Sequence, residues 1–169
     1  RGAVMRNVFY NNVDFTLGDL QSQFSVEVEE QDLEDGGLFE SVDLYLGFSD
    51  RTFTTTDLSK GEVLFKTIPA ADFEDGPNGL PRTTLNFTFQ EALEATGLSE
   101  NEVVCRDQFN LRLSLNLTDG RSFSTENGSS SILTDDCFFK SPYRYVINVV
   151  EPLEPQAFTG LYVYSSIID

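Results

Sequence analysis

The chain has 169 residues, among them 15 Phe and 6 Tyr, with no Trp, no His and a net charge of −17. That length holds one full domain and a fragment of another, and it buries enough surface to fold without a metal or a disulfide. The charge excludes a surface for nucleic acid or anionic membrane, since both are held through cationic contacts. The missing His excludes any Ser-His-Asp or Cys-His centre and leaves zinc short of ligands.

Taken in order, Ala3 to Tyr10 is apolar and β-prone and predicts a first strand, broken at Asn11-Asn12. Val13 to Leu17 continues it or re-pairs, and Gly18-Asp19 turns. From Gln23 to Glu30, Phe24, Val26 and Val28 alternate with Ser25, Glu27 and Glu29, the period of a half-buried strand. Leu33 to Gly37 is an acidic loop, and Leu38 to Ser49 is the next strand. Its Val42, Leu44, Leu46 and Phe48 face one way, its Asp43 and Tyr45 the other. Asp50 to Gly61 is a polar loop, Glu62 to Ile68 a strand, Pro69 to Phe73 one helical turn, and Glu74 to Pro81 a loop. Arg82 to Phe89 is a strand with Leu85, Phe87 and Phe89 inward. Thr88 and Glu91 have capping-box spacing, so Gln90 to Thr96 predicts a short helix stopped by Gly97. Ser99 and Glu102 repeat that spacing.

The organising stretch is Phe109 to Leu117, where Leu111, Leu113, Leu115 and Leu117 alternate with Asn110, Arg112, Ser114 and Asn116. At about 3.3 Å per residue this strand spans roughly 30 Å. A loop of Thr118, Asp119 and Gly120 sets Phe123 opposite Leu115, on the leucine face, whereas a two-residue loop would set it against Asn116. The first register is the one expected, with Gly120 left-handed. Glu126 to Asp136 is a Gly/Ser-rich loop, Phe138-Phe139 caps one end of the core, and Tyr143 to Val150 is the last strand. The fold expected for residues 1–150 is an all-β, immunoglobulin-like antiparallel β-sandwich with one or two short helices.

Cys105 and Cys137 flank the hairpin at one end of the sandwich, where either a disulfide or two reduced thiols fits. A bridge would stabilise by about 3–4 kcal/mol and argue for an oxidising compartment. Residues 151–156 are a Pro-rich linker. Beyond it, residues 157–169 hold one more strand, which either opens a second domain or is added to a partner's sheet. Its Phe158, Leu161, Tyr162, Val163 and Tyr164 are the candidate partner-binding residues.

Several stretches resemble the N-terminal immunoglobulin-like domain of Bacteroidota outer-membrane surface lipoproteins. They are Glu29-Glu30-Gln31-Asp32 with Gly36-Gly37-Leu38, Val42-Asp43-Leu44-Tyr45, Lys66-Thr67-Ile68-Pro69-Ala70, Gly79-Leu80-Pro81, Leu117-Thr118-Asp119-Gly120-Arg121 and Phe138-Phe139-Lys140-Ser141-Pro142. The similarity covers roughly residues 2 to 150, and Phe158 to Tyr162 looks like the opening of such a chain's second domain. The cysteines are not part of that pattern. The resemblance implies an accessory protein of the SusE/SusF type in a SusC/SusD system, extracytoplasmic at the cell surface, with a lipid anchor upstream of Arg1. It implies a protein partner. These motifs are turn and packing residues, so they speak to fold and location.

Other chemistries are weaker on the residues. Asp32, Asp35, Asp135 and Asp136 could offer oxygens to calcium, but without the spacing of a calcium loop, and no cofactor is expected. A carboxylate pair for glycoside hydrolysis needs a cleft that a sandwich does not readily provide, so no enzyme is expected. Tyr45, Tyr162 and Tyr164 could stack on sugar rings, which makes a carbohydrate-binding module of a glycan-uptake system the alternative function.

Overall fold

A computed structural model of the chain describes residues 2–133 and 140–153, the side chain of Ser131 excepted. Its strands are β1 (Val4–Asn12), β2 (Asp14–Thr16), β3 (Gln23–Gln31), β4 (Phe39–Ser49), β5 (Lys60–Pro69), β6 (Glu74–Asp75), β7 (Pro81–Thr88), β8 (Gln108–Leu117), β9 (Ser122–Phe123) and β10 (Arg144–Val150). Helix α1 (Phe89–Thr96) joins β7 toward β8, and a single turn, α2 (Ser130–Leu133), follows β9. One sheet has the order β1-β3-β7-β6, the other β2-β10-β8-β4-β5, with β9 on the end of β8. Two such sheets, face to face with these crossings, make an immunoglobulin-like sandwich.

Val13 to Leu17 re-pairs rather than continues. The chain leaves β1 at Asn12, whose amide donates to the carbonyls of Asp14 and Gln23 at 3.0 and 2.6 Å. It then crosses to the second sheet, where β2 runs parallel to β10 with Asp14 beside Asn148. This short parallel pair departs from the all-antiparallel expectation.

Strand β8 lies in the middle of its sheet between β4 and β10. Leu111, Leu113 and Leu115 are fully buried and Leu117 is 1% exposed. The hairpin has the expected register: Leu115 faces Phe123, the loop is Thr118 to Gly120, and Gly120 has φ 85°. The returning strand is only two residues long, however, so β4 and β10 rather than β9 flank most of the leucine ribbon. Phe109 meets Phe48, Phe15 and Phe89 at centroid distances of 5.1, 5.6 and 6.0 Å. Tyr143 ties the last strand to the first, its hydroxyl accepting from Met5 N at 3.1 Å and donating to Ala3 O at 3.0 Å.

Thr88 and Glu91 form the predicted capping box: Thr88 Oγ1 accepts from Glu91 N at 3.1 Å, and Glu91 Oε2 accepts from Thr88 N at 2.7 Å. Gly97 ends the helix left-handed at φ 69°. Thr88→Ala should cost about 1 kcal/mol. For a chain of this size that lowers Tm by about 2–4 °C, measurable by circular dichroism. The stretch from Glu126 was expected as loop throughout. Its turn α2 starts just after Ser129, whose carbonyl accepts from Ile132 N and Leu133 N at 2.9 and 3.1 Å.

Candidate binding surface

Because side chains alternate along β4 and β8, the residues between the buried leucines all project from the outer face of the second sheet. Register then brings four of them into one row. Leu64 of β5 pairs with Tyr45 of β4, Tyr45 with Arg112 of β8, and Arg112 with Arg144 of β10. The Arg112 guanidinium lies over the Tyr45 ring, 4.3 Å from its centroid, and its Nε donates to Glu62 at 2.7 Å. Arg144 is exposed. Leu64 is 57% exposed and Val146, next along β10, 46%.

Around this row the face is polar and internally bonded. Asn116 donates to Asp43 Oδ2 at 2.8 Å, Thr67 donates to Asp43 Oδ1 at 2.6 Å, and Asn110 donates to Ser49 Oγ at 2.9 Å. These side chains are held in place, so the face is preorganised. It presents an apolar-aromatic-cationic strip, and Tyr and Arg are the residues that carry most energy where proteins bind proteins. Strand β5 ends the sheet, its outer backbone edge left open over most of its length.

The opposite sheet has a different outer face. Glu29 of β3 is fully buried there, its carboxylate held by Arg82 Nε at 3.0 Å and by Arg6. Beside it, Glu27, Asp72, Glu74, Asp75 and Arg82 line an open depression of about 440 Å³. Such a hollow was not expected on a sandwich. One residue on, Glu30 points between the sheets. It is fully buried, and neither carboxyl oxygen has a hydrogen-bond partner. Burial and then the charge of Asp32 push its pKa from 4.5 up to about 8.

No family model matches the chain, and no curated protein matches it either. Among solved structures it is similar to murine CRIg. The identity is 8%, over 90% of this chain and 100% of that one, with a TM-score of 0.33. A likeness that faint carries no argument, and the fold assignment rests on the strand pairing above.

The expected site residues fare unevenly. Asp32 is a loop organiser: its Oδ1 accepts from Glu34 N and Gly36 N at 2.7 and 3.0 Å, and its Oδ2 from Leu38 N at 2.8 Å. Asp35 is exposed with φ 53°. Among the described residues, no three acidic or Cys side chains converge as a metal site. Among those residues Cys105 carries a half-buried free thiol. Its suggested partner Cys137 lies outside the described residues, as do Asp135, Asp136, Phe138, Phe139, Phe158, Leu161, Tyr162, Val163 and Tyr164. Tyr45 does face outward, but the guanidinium of Arg112 occupies one face of its ring. Sequence reading passed over Arg112, Leu64 and Arg144, because only cross-strand register joins them. Among the described residues no helix is long and apolar enough to cross a membrane.

Proposed function

We propose that this sandwich is a non-catalytic accessory domain of a bacterial cell-surface assembly. It is extracytoplasmic, lipid-anchored upstream at the outer membrane, and docks on a SusC/SusD-type complex. The observation that carries the reading is the Leu64–Tyr45–Arg112–Arg144 row on an otherwise bonded sheet face beside an open edge strand. Lipoprotein character, location and partner come from the resemblance of the turn and packing motifs.

The test is a photo-crosslinker at Leu64 in native outer membranes, with Tyr45→Ala/Leu64→Asp as the disrupting variant. We expect a defined adduct with a membrane protein, and at least tenfold less co-purification for the variant at unchanged Tm. Recovery of the native domain alone after mild detergent extraction would refute the docking reading. The carbohydrate-binding alternative has less support, since Arg112 covers the Tyr45 ring where a sugar would stack. A glycan array carrying the intact domain decides it.

A further inference from the structure

The end of the sandwich where β4 leaves and β8 begins carries two exposed arginines, Arg51 and Arg106. A depression of about 460 Å³ there is lined by Arg51 and Arg106 with Cys105, Gln108 and Asn148, and no carboxylate lines it. The chain has a net charge of −17, and the hollow of about 440 Å³ on the opposite sheet is lined by four acids. Neither Arg51 nor Arg106 has an ion pair among the described residues, although anions are abundant in the chain. The acids next to them in sequence are committed elsewhere. Asp50 accepts from Thr52 N and Leu58 N at 3.1 Å each, and Asp107 is 1% exposed.

Asp107 is what assembles the hollow. Its Oδ1 accepts from Arg51 N at 2.9 Å and Thr52 Oγ1 at 3.3 Å, and its Oδ2 accepts from Val104 N at 3.0 Å. One buried carboxylate thus pins the loop carrying Arg51 to the loop carrying Arg106. Arg106 itself sits at φ 85°, a conformation costly for a long side chain and free for glycine. A surface arginine kept where glycine would relieve the backbone points to a use for its guanidinium. Gln108 donates to Asn148 at 3.0 Å and Asn148 to Asp14 at 2.9 Å, which fixes that wall.

We propose that this hollow binds an oxyanion, the carboxylate or sulfate group of a small acidic ligand about the size of one sugar ring. Arg51 and Arg106 both line the hollow, and a guanidinium fork matches the planar or tetrahedral oxygens of such a group. The hollow adjoins the docking face, since Gln108 and Asn148 project from the same outer face beyond Asn110 and Val146, but it rests on different residues. The repulsive charge of the chain makes binding salt-sensitive.

The experiment titrates the full chain with sodium sulfate, sodium glucuronate and neutral glucose at constant ionic strength, read by calorimetry and by amide NMR. We expect saturable binding of sulfate, glucuronate or both, none of glucose, and shifts centred on Arg51 and Arg106. Binding of one anion alone identifies the group recognised. Arg51→Gln and Arg106→Gly should each lower affinity at least tenfold. Arg106→Gly should leave Tm unchanged or raise it, which a purely structural arginine would not do. The proposal fails if neither anion saturates, or if both variants bind as the native chain does.

Discussion

Glu30→Gln should abolish a loss of stability that the native domain suffers as pH rises from 4.5 to about 8. Glu30 is fully buried on the inner face of β3, with no donor to either oxygen. Its charged form therefore lacks compensation, and the carboxyl keeps its proton in the fold at a pH where the unfolded chain releases it. Because the folded pKa lies above the unfolded one, the stabilising contribution is complete below 4.5. It falls with rising pH and is gone above about 8. A shift of this size corresponds to about 4–5 kcal/mol over the window. Below it, a second group of carboxyls acts with the opposite sign. Glu91, held under its usual value first by its hydrogen bond from Lys66, loses its contribution as pH falls. Native stability should therefore peak near the ordinary carboxylate range. Urea titrations from acid to mild base read the profile. A native ΔG that is flat across the window, or a Gln variant with the native slope, would show that Glu30 is not the group responsible.

How much of this was visible in the chain follows from which interactions are local. Strand periods, the Thr88–Glu91 box, the Gly97 stop and the three-residue loop at Gly120 are all encoded within a few residues, and all are found. The parity of β3 was also readable: Phe24, Val26 and Val28 face inward, so Glu30 must follow them and Glu29 must not. Nothing in the residue type marks the change, since a carboxylate at the end of an inward row looks the same in sequence as one on the outer face. By contrast, the Tyr45–Arg112 stack joins residues far apart in sequence through one register choice, and Arg51 meets Arg106 only through Asp107. Long-range pairings of that kind leave no periodic trace. The parallel β2–β10 pair escaped for the same reason.

Glu29 makes the complementary prediction, since it is as buried as Glu30 yet is solved the opposite way. It lies on the outer face of β3 between Arg6 and Arg82, with the turn after β6 closed over it. A Cβ on Gly76 would stand 2.8 Å from Arg82 Nε and 3.1 Å from Glu29 Oε2, so glycine lets this turn lie close against the pair. Arg82→Leu removes the better-buried cation and leaves a carboxylate, 1% exposed, to Arg6 alone. That should cost about 3–5 kcal/mol, the penalty of a stranded buried charge rather than the net worth of the pair. The double variant Glu29→Leu/Arg82→Leu should regain most of it, because no buried charge remains and Arg6, 34% exposed, can turn to solvent. Denaturant titrations of the native chain, Arg82→Leu, Glu29→Leu and the double variant form the cycle. If Arg82→Leu costs under about 1 kcal/mol, the pair is wet in solution and behaves as an ordinary surface bridge. If the double variant is as unstable as the single, the guanidinium's packing, not the charge it neutralises, is what the fold requires.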